Sequence, residues 1–330
     1  MLKMNRITCF LLAAAGLLGC RKDDVVVCAT TTLADLRAAA PAVQSFTFTL
    51  SQAQSLHTAG GATLAFGANA FILPNGAVAT GQAQVRLREL HSVGDILLAG
   101  LHTNVSISSK QLLVSAGEFN IQIWQGSTRL RWNPASSVAT SPLPTGPSLT
   151  TPVPQSGLDT TRMYLWQLPF PANPAAAAVA DSMGWQPALL RSGAGALAWK
   201  ALLPTNGAYT ALLALDSISW LNFDQFWRPA SNAVWSWANV KVPAGATETQ
   251  VYLRPAGYTS LCRTFGIPND PTQWRNHFPD GTVVQAIVLQ ARNGQLYFGT
   301  QTYTWQANAV MSPALEALSA EEVARRIRQL

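Results

Sequence analysis

The sequence has few charged residues and few cysteines, and both shortages narrow its function. Only 12% of the 330 residues are charged, and the formal net charge is +6. An average protein has about twice this share of charged residues. The basic residues are scattered, so the sequence predicts no nucleic-acid partner. The four cysteines form no Cys-x-x-Cys pair, so zinc ribbons and redox motifs have no support.

The sequence also lacks the motifs of common enzymes. It contains no Gly-x-Ser-x-Gly elbow, and its histidines form no His-x-x-x-His or His-Glu pair. We therefore predict no catalytic residue, no metal and no cofactor. A hydrolase with a spatially assembled site remains an alternative, because the members of a triad meet only in the fold. Such a site would need a cleft in which a histidine lies beside a serine or an acid, and the candidate histidines are His91, His102 and His277.

The first 20 residues carry the most informative pattern. A short basic start, Met1–Arg6, precedes the apolar run Ile7–Leu18, and Gly19 and Cys20 follow. This order is typical of a secretory signal peptide, and the run is too short to span a bilayer. The ending Leu-Leu-Gly-Cys resembles the lipobox of bacterial lipoproteins. The resemblance implies a signal peptide over 1–19, lipidation of Cys20 and attachment to a membrane through the N-terminal lipid.

A charged segment follows the lipobox and consists of Arg21, Lys22, Asp23 and Asp24. It resembles the export signal of Bacteroidota surface lipoproteins, in which a lysine and two acids follow the lipidated cysteine. The resemblance implies an outer-membrane lipoprotein exposed at the cell surface. The alternative is a solvated charge cluster on a tether, which we predict over 20–41. An exported protein can also keep a disulfide, and Cys28 and Cys262 are the candidates for one.

Period-two alternation of apolar and polar residues predicts an all-β fold. Gln44–Leu50 and Gln82–Leu90 are examples, and Gly- and Pro-containing turns separate such runs. We predict two β-sandwich-like domains and a short C-terminal helix, in which Ser319 and Glu322 form a capping box. The expected segments are a β-sandwich domain over 42–133, a Pro/Ser/Thr-rich linker over 134–160, a Trp-rich second β domain over 161–311 and the helix within 312–330.

Several short motifs point to a family. Asn69-Ala70-Phe71, the strand Val85–Leu90 and the turn Leu113–Gly117 occur in that order. This arrangement resembles ZU5-like β-sandwich domains, and in particular the version found in uncharacterised Bacteroidota surface lipoproteins. The resemblance implies a fold and a location, and it carries no activity. ZU5 domains elsewhere serve as protein-interaction modules.

The segment Trp220–Trp227 resembles a Trp-Ile-Asn-x-Asp-Arg-Phe segment of the same lipoproteins. Trp220, Asn222 and Asp224 match its pattern, and Gln225 stands where the arginine is usual. One Asn-x-Asp pair is far short of the six to eight oxygens that calcium needs. We therefore expect Asn222 and Asp224 to make hydrogen bonds that fix a loop beside Trp220.

Tryptophan is in surplus, with 11 residues, most of them beyond the predicted linker. Trp235 and Trp237 lie on the same face of one predicted strand. The first expectation is that they fill a sandwich core, where aromatic side chains bury large areas. The alternative is an exposed platform that stacks sugar rings. The sequence therefore predicts a non-enzymatic binding or scaffold module with a protein or glycan ligand, and exposure of these two tryptophans would favour the glycan.

Overall fold

The computed structural model describes residues 31–105, 111–133, 147–153, 158–168, 184–191, 197–199, 201–202, 204–213, 220–229 and 232–330. Residues 31–330 form one compact unit. The unit is mostly β, with multiple antiparallel sheets and few helices, as the alternation predicts. Its helices are the 3-10 helices η1 (Leu33–Ala39) and η2 (Thr160–Arg162) and the α-helices α1 (Val93–Leu98) and α2 (Ala320–Ile327).

The strands of the first half are β1 Gln44–Thr49, β2 Gln54–His57, β3 Thr63–Phe66, β4 Phe71–Ile72, β5 Gln82–Leu90, β6 Leu113–Gln125, β7 Thr128–Arg129, β8 Arg131–Trp132, β9 Ser148–Pro152, β10 Met163–Leu168, β11 Gln186–Pro187, β12 Leu189–Arg191 and β13 Leu197–Trp199. Those of the second half are β14 Ala201–Leu202, β15 Pro204–Thr205, β16 Ala208–Leu212, β17 Trp220–Phe226, β18 Trp235–Lys241, β19 Glu248–Pro255, β20 Cys262–Arg263, β21 Phe265–Ile267, β22 Asp270–Pro279, β23 Val283–Arg292, β24 Gln295–Thr304, β25 Val310–Met311 and β26 Glu316–Leu318.

The first sandwich is built from two sheets that share one apolar core. One sheet has the order β1-β5-β6-β17-β10-β11, with β7 added on β6 and β14 on β10, and the other has the order β15-β16-β9-β3-β2. Phe119 and Phe223 of the first sheet pack edge to face, with ring centroids 5.6 Å apart. Leu64 and Tyr209 of the second sheet lie in the same core. The two sheets therefore face each other as a β-sandwich.

The second sandwich follows in the chain. Its sheets have the orders β21-β22-β18-β25 and β20-β19-β23-β24-β26, and Val240 and Phe278 of the first share a core with Val251 and Val288 of the second. The helices η1, α1 and α2 cover the outer face of the second sheet. Strand β23 is therefore buried on both faces, as its nearly continuous apolar run predicts.

The structure corrects the domain boundary predicted over 134–160. Within that segment, Ser148–Pro152 is β9, which pairs with β3 on one side and β16 on the other. Strands β6 and β17, from either side of the predicted linker, also pair with each other. Proline composition misled the prediction because Pro147 and Pro152 lie just before and at the end of β9, where a missing N–H donor costs least. The second sandwich begins only at β18.

Asn293-Gly294 between two alternating runs predicts a hairpin turn, and the structure confirms both this turn and the start of the C-terminal helix. Asn293 and Gly294 join β23 to β24 with φ of 51° and 74°, the left-handed conformations that a type I′ hairpin turn requires. Helix α2 begins after Ser319, whose side chain accepts a hydrogen bond from the Glu322 backbone. In the predicted capping box, the Glu322 carboxylate would accept a hydrogen bond from the Ser319 backbone. In the structure it binds Arg325 and Arg326 instead.

Hydrogen bonds join the two sandwiches. Thr103 N–H donates to the Leu261 carbonyl over 2.8 Å, and Ser115 N–H donates to the Thr259 carbonyl over 2.8 Å. These contacts bring the turn after β19 against the start of β6. The junction between the sandwiches is consequently a packed region, and the chain crosses it directly after β17.

Candidate functional site

A row of half-buried rings and cations, with one exposed indole at its centre, lies on the outer face of the sheet β21-β22-β18-β25. Along β18, Ser236, Ala238 and Val240 alternate with the residues of this row, and Ala238 and Val240 lie in the core. The opposite face carries what we call the aromatic strip, which consists of Trp235, Trp237, Phe265, Arg275 and His277. Trp237 is 37% exposed, and Trp235 is half-buried. The expectation that both tryptophans fill the core is therefore wrong, while their placement on one face of β18 is as predicted.

Trp237 is at the centre of the aromatic strip. It is directly opposite His277 across the ladder, and the two ring centroids are 3.5 Å apart. The Arg275 guanidinium carbon lies 4.2 Å from the Trp237 ring centroid, and Phe265 packs edge to face at 5.7 Å. Such cation–π and stacking contacts each stabilise by about 0.5–1 kcal/mol at an exposed site. They hold the indole in place before any ligand arrives.

A pocket lies at the junction between the sandwiches, and the aromatic strip leads to it. Trp235 packs edge to face against Trp227, with centroids 6.1 Å apart, and Trp227 lines the pocket. The volume of this junction pocket is about 250 Å³. Its walls are Val114, Asp159, Arg162, Tyr164, Gln225, Phe226, Trp227, Arg228 and Tyr258.

The charges of the junction pocket are predominantly positive. Arg162 and Arg228 are both exposed, and Asp159 is the one acid among the lining residues. The Asp159 carboxylate accepts hydrogen bonds from the backbone and hydroxyl of Thr161, and it lies 3.2 Å from Arg162 Nε. Among the described residues, Arg228 has no ion-pair partner. The pocket thus offers guanidinium groups beside aromatic walls.

The predicted motif Trp220, Asn222 and Asp224 contributes to a different cluster, inside the molecule. Asn222 donates from its side-chain amide to Glu118 over 3.2 Å and to Asp224 over 2.5 Å. Ser115 donates to the Asn222 side-chain oxygen over 2.7 Å. Asn222 and Asp224 therefore make hydrogen bonds, as expected, and Asn222 makes two of them to β6. The expected loop is wrong, because both residues lie within the buried strand β17. Trp220 lies apart from this cluster and packs half-buried against the neighbouring apolar side chains.

Glu118 and Asp224 are both fully buried. Burial raises the pKa of each carboxyl well above its usual range, and the Asp224 charge raises the pKa of Glu118 further. Glu118 Oε2 and Asp224 Oδ1 have no hydrogen-bond partner among the described residues. Two adjacent carboxyls in such a place cannot both ionise cheaply, so they hold protons at pH values where exposed acids do not.

The candidate histidines for a hydrolase site lie in three separate places. His91 Nε2 lies 3.4 Å from Glu89 Oε2. Burial acts to raise the pKa of Glu89, but hydrogen bonds outweigh it and lower the pKa to about 2; the donors are His91, Thr58, Gln44 and the Gly60 backbone. A carboxylate with so low a pKa is a weak base, and its donors show that it fixes the turn at Gly60.

His102 is buried, and its Nδ1 accepts from the Asn104 backbone. His277 belongs to the aromatic strip. Among the described residues, no group of three or more His, Cys, Asp or Glu side chains could hold a metal ion.

Some predicted residues lie outside the described part of the chain: Cys20, Arg21, Lys22, Asp23, Asp24 and Cys28. Cys262 is described, and its thiol is free and buried. Burial raises the pKa of Cys262 to about 12, although Asn104 donates to its sulfur over 3.5 Å. A thiol of that pKa is unreactive. The pairing of Cys262 with Cys28 stays a prediction.

Sequence reasoning did not predict most residues of the aromatic strip or of the junction pocket. Phe265, Arg275 and His277 reach Trp237 through cross-strand pairing, and only the alternation of polar residues along β22 gave any signal for them.

A comparison with protein-family models finds no match to this chain, and a comparison with curated proteins finds none either. In the described part of the chain, helices are all too short or too polar to cross a membrane.

Proposed function

We propose that this protein is a non-enzymatic carbohydrate-binding module of the cell envelope, held to a membrane by a lipid on Cys20 and displayed at the cell surface. The observation that carries the carbohydrate ligand is the exposure of Trp237 on the outer face of a sheet. A sugar ring presents C–H groups that stack on an indole, and Trp237 does not stand alone, because it lies in a row of aromatic and cationic side chains on one face of the sheet.

The surroundings of Trp237 support the same ligand. His277 and Arg275 hold the ring, so little side-chain entropy is lost when a ligand binds. Arg275, His277 and Asn239 add hydrogen-bonding groups on the same face of the sheet, and sugar hydroxyls need such groups.

The experiment is affinity electrophoresis of the protein through gels that contain dextran, xylan, polygalacturonate, alginate or hyaluronan. We expect at least one polysaccharide to slow the protein, and we expect Trp237→Ala to abolish the retardation because the stacking platform is removed. Trp124→Ala is the matched control. Trp124 is half-buried on the first sandwich and also lies beneath an arginine, Arg86, at 5.4 Å.

Retardation that Trp237→Ala leaves intact, or an absence of retardation by all five polysaccharides, would contradict the carbohydrate proposal. Circular dichroism checks that both variants fold. We expect Trp237→Ala to fold, because Trp237 lies outside the sandwich core.

The lipid anchor and the surface display are tested separately by protease treatment of intact cells. The comparison is between wild type, Cys20→Ala and a variant with Lys22, Asp23 and Asp24 changed to alanine. We expect protease to cleave the wild type and to spare the triple variant, which stays bound to the membrane. A wild type that protease spares would contradict surface display.

A further inference from the structure

The geometry points to a second, linked site: we infer that the junction pocket holds the negatively charged end of an acidic polysaccharide whose chain lies along the aromatic strip. This inference rests on the carbohydrate-binding function proposed above. It adds the class of sugar, one that carries carboxylate or sulfate groups, and a direction for the bound chain.

The first support is continuity. Trp237 and Trp235 lie two residues apart on one face of β18, about 7 Å along the strand. The Trp235 ring meets Trp227 at 6.1 Å, and Trp227 forms a wall of the junction pocket. A row of rings therefore runs from the centre of the aromatic strip into the pocket. A ligand on Trp237 and Trp235 would therefore lie close to the pocket.

The second support is charge. Two arginines and one acid line the junction pocket, and the acid already accepts two hydrogen bonds from Thr161. Arg162 has one ion-pair contact, through Nε to Asp159, and Arg228 has none within the described part of the chain. Arg275 adds a further cation beside Trp237. Guanidinium groups bind carboxylates and sulfates through paired, charge-assisted hydrogen bonds, so a neutral sugar would leave these groups unused.

The third support is size and position. A volume of about 250 Å³ is below the range of drug-sized ligands and suits one or two sugar rings. Tyr164 and Tyr258 add phenol groups to the same walls. Pockets at junctions between two packed units are common places for small ligands. A pocket of this size takes the end of a chain, while the open sheet face takes its continuation.

The test compares the retardation of wild type, Arg162→Gln/Arg228→Gln and Arg86→Gln/Arg131→Gln in the same gels. Arg86 and Arg131 are exposed on the first sandwich. The control variant therefore removes the same amount of positive charge at a place away from the pocket. We expect polygalacturonate, alginate or hyaluronan to bind at least about tenfold more tightly than dextran or xylan. We expect the first double variant to lose this preference and the control variant to keep it.

Competition tests the insertion of a chain end. At equal mass, short oligosaccharides of the preferred acid carry more ends than the polymer, so we expect them to displace the protein from the gel at lower concentration. Equal potency per unit mass would overturn end binding.

The possible failures are distinguishable. Retardation by neutral polysaccharides alone, with loss on Trp237→Ala, would overturn this inference and leave the proposed function standing. Retention of the acidic preference by Arg162→Gln/Arg228→Gln would overturn the assignment of the pocket. An absence of retardation by any polysaccharide would overturn both the inference and the proposed function.

Discussion

Glu118 and Asp224 are two carboxyls enclosed in a sheet, and they give the protein a stability that depends on pH. Both have a raised pKa in the folded state, so the folded chain binds more protons than the unfolded chain above about pH 4. Their contribution is full below the usual carboxyl pKa and is lost as the pH rises through the raised values. Keeping these carboxyls protonated at neutral pH costs folding free energy, because the same carboxyls are ionised in the unfolded chain.

Glu118→Gln should remove this cost while keeping the shape and an acceptor for Asn222. We expect the free energy of unfolding at pH 8 to rise by about 1–2 kcal/mol, and the difference from wild type to shrink toward pH 4. Urea unfolding at the two pH values measures both numbers. A variant that is less stable than wild type at pH 8 would contradict the account of the buried pair.

Glu89 should behave in the opposite way. Its folded pKa of about 2 lies below the usual value, so its contribution is present above about pH 4.5 and is lost as the pH falls toward 2. We expect Glu89→Gln to lower the free energy of unfolding at pH 7 by about 1–2 kcal/mol, a figure reduced for solvent screening. Thermal melts between pH 7 and pH 3 check it, because the deficit should narrow as wild-type Glu89 takes up its proton.

Helices α1 and α2 touch at a glycine. A Cβ on Gly94 would lie 2.5 Å from the Ile327 carbonyl oxygen and 3.0 Å from Arg328 Cα. Because both atoms belong to backbone, Gly94→Ala must push the two helices apart, and we expect a loss of about 1–3 kcal/mol in urea unfolding. Gly67→Ala is the control, since a Cβ there meets nothing within 4 Å. Equal stability of the two variants would show that the helix contact is loose.

Local sequence patterns predicted individual turns, strands and helices better than they predicted which of these elements pack together. The turn at Asn293 and the start of α2 after Ser319 follow from a few adjacent residues, and the structure contains both. Alternation also placed Trp235 and Trp237 on one face. It could not say which face meets the core, because both faces of β18 carry apolar residues and the partner sheet decides which of them is buried. The prolines at the ends of β9 gave this segment the composition of a linker, because composition does not show which strands lie beside it.

At the scale of the whole molecule, the site is made by pairing between distant parts of the chain. Trp237 meets Arg275 and His277 through the register of β18 with β22, and the junction pocket joins residues from Val114 to Tyr258. No sequence spacing encodes such contacts when strands far apart in the chain become neighbours. The all-β class could be predicted from alternation, whereas the sharing of the first sandwich between segments on both sides of β9 could not.

The most direct test of the carbohydrate-binding claim is hydroxyl-radical footprinting, read by mass spectrometry, with and without the polysaccharide that slows the protein most. The account predicts that oxidation of Trp237 falls when the ligand is present, while oxidation of Trp124 on the first sandwich is unchanged. Equal oxidation of Trp237 with and without ligand would contradict the claim that the aromatic strip binds carbohydrate.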